Sequence, residues 1–276
     1  MFILSFPKSG RTWIRAVVSG YLQKRYRQDV DLEFSVASRF FSRPCFTHNF
    51  FDVYRYVERP VELLEKEFLV EKPLVIVVRD PRDVCASYFH HIGSRDRMWT
   101  GSILRFALDP VYGIVRQLTF VNMILDLYAA HSGPKLALSY ETLRDNPAAG
   151  FAELLSLIDQ KEVDLKVLDE AITDASFERM REAEISVSEK GRVEKGARLG
   201  VKDWSGDTNA LKVRRGVVGG FWQDFGLAGG ILVSALPSVL GLVSRLRWLR
   251  EEVVRVSPPS RCTGGAAHEE CGRANG

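Results

Sequence analysis

A lysine, two hydroxyl side chains, a glycine and an arginine fall within five positions of the run Ser5-Phe6-Pro7-Lys8-Ser9-Gly10-Arg11-Thr12-Trp13. These are residue types that hold a phosphate. Lys8 offers a point charge, Ser9 and Thr12 offer hydroxyl donors, and Gly10 lets backbone approach an anion. An apolar run at 2–6 precedes them and an amphipathic stretch at 11–26 follows. A strand feeding a helix through this loop sets the helix N-terminus, with its unpaired N–H groups and positive dipole end, against a bound anion. The loop departs from Gly-x-x-x-x-Gly-Lys-Ser/Thr, because Ser5 and Arg11 stand at the first Gly and the Lys positions. That departure weighs against the usual Mg²⁺-and-lysine cradle of an ATPase. A plain turn carrying a surface lysine is the bland alternative.

A second cluster is Arg79-Asp80-Pro81-Arg82-Asp83-Val84-Cys85-Ala86-Ser87-Tyr88. Arg79 and Ser87 face one phosphate if the chain turns back after Pro81. The competing expectation is that Arg79 and Arg82 pair with Asp80 and Asp83 at a helix start, where acids are favoured. His90 and His91 are adjacent, so on a helix they point about 100° apart and make a poor metal pair. They read as helix-surface or pocket-wall residues. No cluster has metal-ligand spacing and no Gly-x-Ser-x-Gly elbow occurs, so no metal is expected.

Three apolar runs, 2–6, 74–78 and 135–139, read as strands, each followed by a helical pattern. The helices are expected over 11–26, from Pro81 to about 91, and from Pro147 with an apolar stripe of Phe151, Leu154, Leu155 and Ile158. A long helix over about 103–131 separates the second and third strands. This alternation predicts an α/β fold with a mostly parallel sheet covered on both faces. Residues 186–213, rich in Lys, Arg, Glu and Gly, read as a surface loop or lid. From Phe225 to Ser244 no residue is charged, and Arg245, Arg247 and Arg250 follow. Gly229, Gly230, Pro237 and Gly241 interrupt that stretch, which reads as a buried helix or a peripheral membrane contact through 226–250. The expected organisation is one domain over 1–225, a segment of uncertain role over 226–256 and a disordered tail over 257–276.

The chain has 276 residues, 46% of them hydrophobic and 26% charged, as in an ordinary globular protein. Its net charge of +3 is too small for a nucleic-acid coat, yet a local basic pocket needs only a few side chains. Four cysteines without CxxC spacing fit a reducing compartment. The run 2–6 is too short for a signal peptide, which favours a cytoplasmic setting.

Taken together, the clusters resemble the sulfotransferase family that uses 3′-phosphoadenosine-5′-phosphosulfate (PAPS). The loop 7–13 looks like the family's 5′-phosphosulfate loop, Pro-Lys-Ser-Gly-Thr-Thr-Trp. Residues 79–87 look like its 3′-phosphate motif, Arg-Asn/Asp-Pro-Lys/Arg-Asp with a Ser eight positions after the Arg. Tyr140-Glu141-Thr142-Leu143 resembles Tyr-Glu-Asp-Leu/Met, whose Tyr lies near the adenine. Arg214-Arg215-Gly216-Val217-Val218-Gly219-Gly220 resembles the late Arg-Lys-Gly-x-x-Gly-Asp segment.

The resemblance implies a P-loop-like, three-layer α/β fold with a central parallel sheet flanked by helices. It implies PAPS as donor, 3′-phosphoadenosine 5′-phosphate (PAP, 3′,5′-ADP) as product, and no metal. By position it assigns Lys8, Ser9, Gly10, Arg11, Thr12 and Trp13 to the 5′ side of the donor. Arg79, Ser87, Arg214, Arg215 and Gly216 fall on its 3′ side, with Tyr140 by the base. Lys8 would stabilise the leaving group, and His48, in Cys45-Phe46-Thr47-His48-Asn49, would take the acceptor's proton. The implied acceptor carries a hydroxyl or an amine and is a small molecule or a glycan or lipid; no nucleic-acid partner is implied. Arg11 stands where the family has Thr, Phe46 where it often has Lys, and Gly220 where it has Asp. The rival functions are a P-loop nucleotide or small-molecule kinase and a non-catalytic nucleotide-binding module.

Overall fold

The first strand, β1 (Phe2–Ser5), is buried along its whole length and sits between two other strands. The computed structural model describes residues 1–27, 45–47, 72–159, 161–191 and 199–239, with backbone alone for 45–47 and 237–239. β2 (Cys45–Thr47), β3 (Leu74–Val78) and β4 (Lys135–Ser139) complete a parallel sheet in the order β2-β1-β3-β4. Register places Phe2 beside Leu74 and Ser5 beside Val77, so β1 and β3 end at the same edge. The loops that follow them are therefore neighbours, which is where ligands bind in such sheets.

The pleat sorts the strand side chains into two cores. Phe2, Leu4, Leu74, Ile76 and Val78 point to one face. There they meet α2 (Pro81–His90), α3 (Ile103–Leu108), α4 (Ile114–Ala130) and the start of α9 (Phe221–Val239). Ile3, Val75 and Val77 point to the other face, toward α1 (Arg11–Tyr26), α6 (Pro147–Asp159) and α7 (Leu165–Asp174). Two further helices frame the cleft: α5 (Tyr140–Asp145), directly after β4, and α8 (Phe177–Glu189). The expected parallel α/β architecture is what the chain adopts.

Three segments carry detail beyond the expectation. The long helix over 103–131 is two helices, because Pro110 has no N–H to offer and the Asp109 carboxylate takes the amides of Val111 (2.8 Å) and Tyr112 (2.9 Å). The lid expected over 186–213 begins as helix, since α8 continues to Glu189. Of the rest, Val201, Ala210 and Leu211 are buried; residues 192–198 lie outside the described set. At the boundary expected after 225, Gly226 (φ 65°) kinks α9. Phe221 and Phe225 before the kink and Val233 after it belong to the same core, so the helix packs on that core on both sides of the kink. Among the described residues no helix is long and apolar enough to cross a membrane.

Candidate functional site

A cleft of about 440 Å³ opens where β1, β3 and β4 end. Lys8, Gly10, Arg11, Thr12 and Trp13 line it from the first loop and helix. Arg79, Ser87 and Tyr140 line it from the middle of the chain, and Arg214, Arg215 and Gly216 from the late segment. Ser9 is buried beside the cleft without lining it. His48 lies outside the described residues. His91 is in the wall, whereas His90 points to the carboxylate of Asp224, 2.8 Å away.

The first loop is shaped by two left-handed residues, Lys8 (φ 72°) and Gly10 (φ 95°). The second must be glycine on two counts: its φ, and a Cβ there would lie 2.6 Å from Tyr140 Cδ2. Gly10 heads α1 with no side-chain cap, and its carbonyl accepts the amides of Trp13 (3.0 Å) and Ile14 (3.1 Å). The positive end of α1 is thereby presented to the cleft. Burial lowers the pKa of Lys8 from 10.5 to about 7; the cations Arg95, Lys212 and Arg79 add to this and Glu184 opposes it. A bound anion would reverse that shift, since an opposite charge favours the ammonium form.

Arg79, at the end of β3, ties the motifs together. It donates to the carbonyls of Lys8 (3.2 Å) and Val217 (3.2 Å), and its guanidinium lies 4.2 Å over the Tyr140 ring. Its Nε is buried without a partner. Arg82 goes the other way. It forks onto Asp80 (2.9 and 2.6 Å), covers Phe221 at 4.3 Å and reaches Ser234, so it joins α2 to α9 outside the cleft. Arg82 thus follows the ion-pair expectation, while Arg79 lines the cleft and also stands 3.9 Å from the carboxylate of Asp83. Tyr140 gets its place from Ser139, whose hydroxyl caps α5 by accepting the Thr142 amide at 3.0 Å. Trp13 packs edge-on against Tyr140 and Phe151.

The late segment is held by carboxylates from elsewhere. Glu184, fully buried on α8, accepts the amides of Lys212 and Val213 (2.9 Å each) and pairs with Arg95 at 3.1 Å. Asp83, on α2 and 3% exposed, accepts the amides of Gly219 (2.8 Å) and Phe221 (2.9 Å). Asp224 receives both Arg214 (3.2 and 3.0 Å) and Arg215 (3.2 Å). Gly216 (φ 66°) passes so near Phe177 that a Cβ would lie 2.3 Å from its ring. Sequence reasoning missed Glu184, Arg95, Lys212 and Asp224, and read Asp83 only as a helix-start acid. A signal existed for Asp224, which is the sole acid between Asp207 and Glu251.

Lys8, Arg79, Arg214 and Arg215, from three distant segments, thus face one cleft, with Arg11 and Lys212 also in its lining, beside an open helix N-terminus. That arrangement suits a ligand with two separated anionic groups. Among the described residues no group of His, Cys, Asp and Glu is arranged to hold a metal ion.

A family model described as the sulfotransferase domain matches residues 1–225. Sulfotransferase 1B1 of Mus musculus is 27% identical over 199 residues, which are 65% of this chain and 64% of that protein. The match thus spans a little under two-thirds of the mouse protein. Among solved structures, mouse sulfotransferase SULT7A1 complexed with PAP has a TM-score of 0.58 at 18% identity, covering 91% of this chain and 87% of that one. Retinol dehydratase in complex with retinol and PAP scores 0.56 at 15% identity, covering 93% and 81%. The same protein with androsterone and inactive cofactor PAP scores 0.53 at 16% identity, covering 93% and 80%. At such identities these structures establish a shared fold.

Proposed function

The chain belongs to the sulfotransferase family, and from that membership we propose that it transfers a sulfuryl group from PAPS to a hydroxyl-bearing small molecule. The observation that carries the reading is the meeting of Lys8, Arg79, Arg214 and Arg215 in a single cleft. A donor with a 5′-phosphosulfate and a 3′-phosphate needs two anion sites, and arginine forks select phosphate geometry. The fold neighbours are crystallised with PAP, the product such a donor leaves.

In this reading the donor supplies the sulfuryl group, and the protein supplies position and charge. The α1 N-terminus with Thr12 holds the 5′-phosphate, while Arg79, Ser87 and Arg214 hold the 3′-phosphate. Lys8 places its ammonium at the bridging oxygen, where negative charge grows as the sulfur–oxygen bond breaks and a new one forms to the acceptor oxygen. His48 takes the acceptor's proton, a role supported by its place in the resemblance. One relative is crystallised with retinol and with androsterone, which favours an apolar hydroxyl compound as acceptor. Cysteine usage favours a cytoplasmic setting.

Calorimetry with 3′,5′-ADP and with ATP–Mg²⁺ tests the donor. Binding of 3′,5′-ADP is expected, to be weakened by Arg79→Ala and spared by His48→Ala, which instead slows transfer from labelled PAPS. Tight binding of ATP–Mg²⁺ with none of 3′,5′-ADP would sink the reading in favour of a kinase.

A further inference from the structure

Asp224 is out of place for an anion-binding cleft. It lies in the wall, 5% exposed at its side chain, among the arginines expected to hold a phosphate. Its carboxylate is saturated: Oδ1 faces His90 Nε2 at 2.8 Å and Arg214 at 3.2 Å, and Oδ2 faces Arg214 at 3.0 Å and Arg215 at 3.2 Å. Burial works to raise its pKa, but His90 and Arg214 outweigh burial and hold the carboxyl below its ordinary range. Asp224 is therefore an anion in the free protein.

The geometry decides between two roles, a rival of the ligand and a guide for the arginine. A guanidinium has five N–H donors. Asp224 grips Arg214 by the edge formed by its two terminal nitrogens and takes one hydrogen from each. Three donors remain, including the whole Nε side of the fork, on a residue that lines the cleft. An arginine clamped on one edge loses little further freedom when it meets an anion with the other. The carboxylate also neutralises part of the repulsion among Arg79, Arg214 and Arg215, which share one end of the cleft. Its own place is fixed from α2, because His90 closes that helix and Asp83, seven residues earlier, pins the first amide of α9.

We propose that Asp224 is a positioning residue for the donor's 3′-phosphate, holding Arg214 and Arg215 in register so that their open edges form the phosphate site. The inference rests on the donor reading above and adds to it a residue that touches no ligand.

The test compares two nucleotides that differ by the 3′-phosphate alone. Titration calorimetry of the full chain would be run with 3′,5′-ADP and with adenosine 5′-monophosphate, on wild type and on Asp224→Asn. The expected result is about tenfold weaker binding of 3′,5′-ADP by the variant, with 5′-monophosphate affinity unchanged. Asp224→Glu, which restores the charge one methylene further out, should recover part of the loss. An equal loss for both nucleotides would show a general structural role and overturn the inference. So would undiminished or tighter 3′,5′-ADP binding, the latter marking Asp224 as a competitor. Should the Asn variant not fold, the Glu variant decides by the same contrast, with a loss of about threefold confined to 3′,5′-ADP expected. A wild-type chain that does not bind 3′,5′-ADP sinks the donor reading and this inference with it. Wild-type binding matched by the Asn variant sinks the inference alone.

Discussion

The cleft has two walls built on opposite principles. One consists of the loops after β1 and β3, where Lys8, Gly10 and Arg79 sit at most a few residues from a fully buried strand. Sheet register fixes these residues, and the chain has little freedom left to lose there. The other wall, residues 199–221, has few buried apolar side chains of its own. It is stitched down by Glu184 and Asp83 through backbone amides, and its arginines are gathered by Asp224. The difference teaches that a polar segment can be ordered without a core if buried carboxylates arrive from elements that have one. Such order is high-stakes, because removing an acceptor strands the donors.

The sharpest way to break the comparison is Asp83→Ala. Two amides lose their acceptor and the late segment loses its anchor on α2. The expected result is about a 100-fold loss of 3′,5′-ADP affinity by calorimetry, with a stability loss of about 2–4 kcal/mol in denaturant melts. Unchanged binding would mean that the second wall stands without its carboxylate.

Next come the two crowded glycines. Gly10→Ala adds a Cβ 2.6 Å from Tyr140 in the strand-borne wall, and Gly216→Ala adds one 2.3 Å from Phe177 in the stitched wall. Both force a left-handed backbone on alanine, a cost of about 1–3 kcal/mol. Both should weaken 3′,5′-ADP about tenfold and lower the melting temperature, Gly10→Ala by more because its loop is held by the sheet while the late segment can shift to relieve the clash. Equal thermal effects would erase the distinction drawn between the walls. A smaller effect is expected from Glu184→Gln, which leaves Arg95 without its ionic partner. About 1–3 kcal/mol of stability and faster proteolytic cutting within 199–213 should follow.

The subtlest prediction concerns pH. Lys8 has a folded pKa of about 7 against an ordinary 10.5. Its contribution to stability is fully present above 10.5 and is lost as pH falls through about 7, so stability gains from Lys8 as pH rises across that window. Anion binding favours the charged form, so 3′,5′-ADP should bind with proton uptake above pH 7 and weaken as pH rises. Lys8→Met should flatten both slopes. Proton uptake read from calorimetry in two buffers checks this, and identical slopes in the variant would refute it.

Legibility in the sequence follows the same division. The strand runs and loop 7–13 carried their own signals, apolar residues bounded by Pro and Gly, and the parallel sheet with its edge cleft followed from them. Arg79 was legible as a residue at a strand end. The break at Asp109-Pro110 was legible too, had Pro been weighed against apolar periodicity. Glu184 and Asp83 were not legible as anchors, because the amides they hold lie 28 and 136 positions away, whereas Asp224 was a lone acid only 9 and 10 positions from its arginines and could have been found. Nothing local distinguishes a carboxylate that will be buried from one on a solvated helix face. Composition read 199–213 as a loop unable to order itself alone, and the segment is a loop; what composition could not show is that Glu184, far off in sequence, holds its end.

The anchors of the second wall grip peptide groups rather than side chains. Glu184 holds the main chain at Lys212 and Val213, and Asp83 holds it at Gly219 and Phe221. Every residue except proline brings the same amide to such an anchor. Inheritance can therefore rewrite the exposed side chains between them, Val217 and Val218 among these, while the path of the chain stays put. A saturation library at those two positions should keep most of its members folded, proline apart. Room to diverge in the stitched wall thus lies at those two exposed positions, between anchors whose loss the wall does not survive.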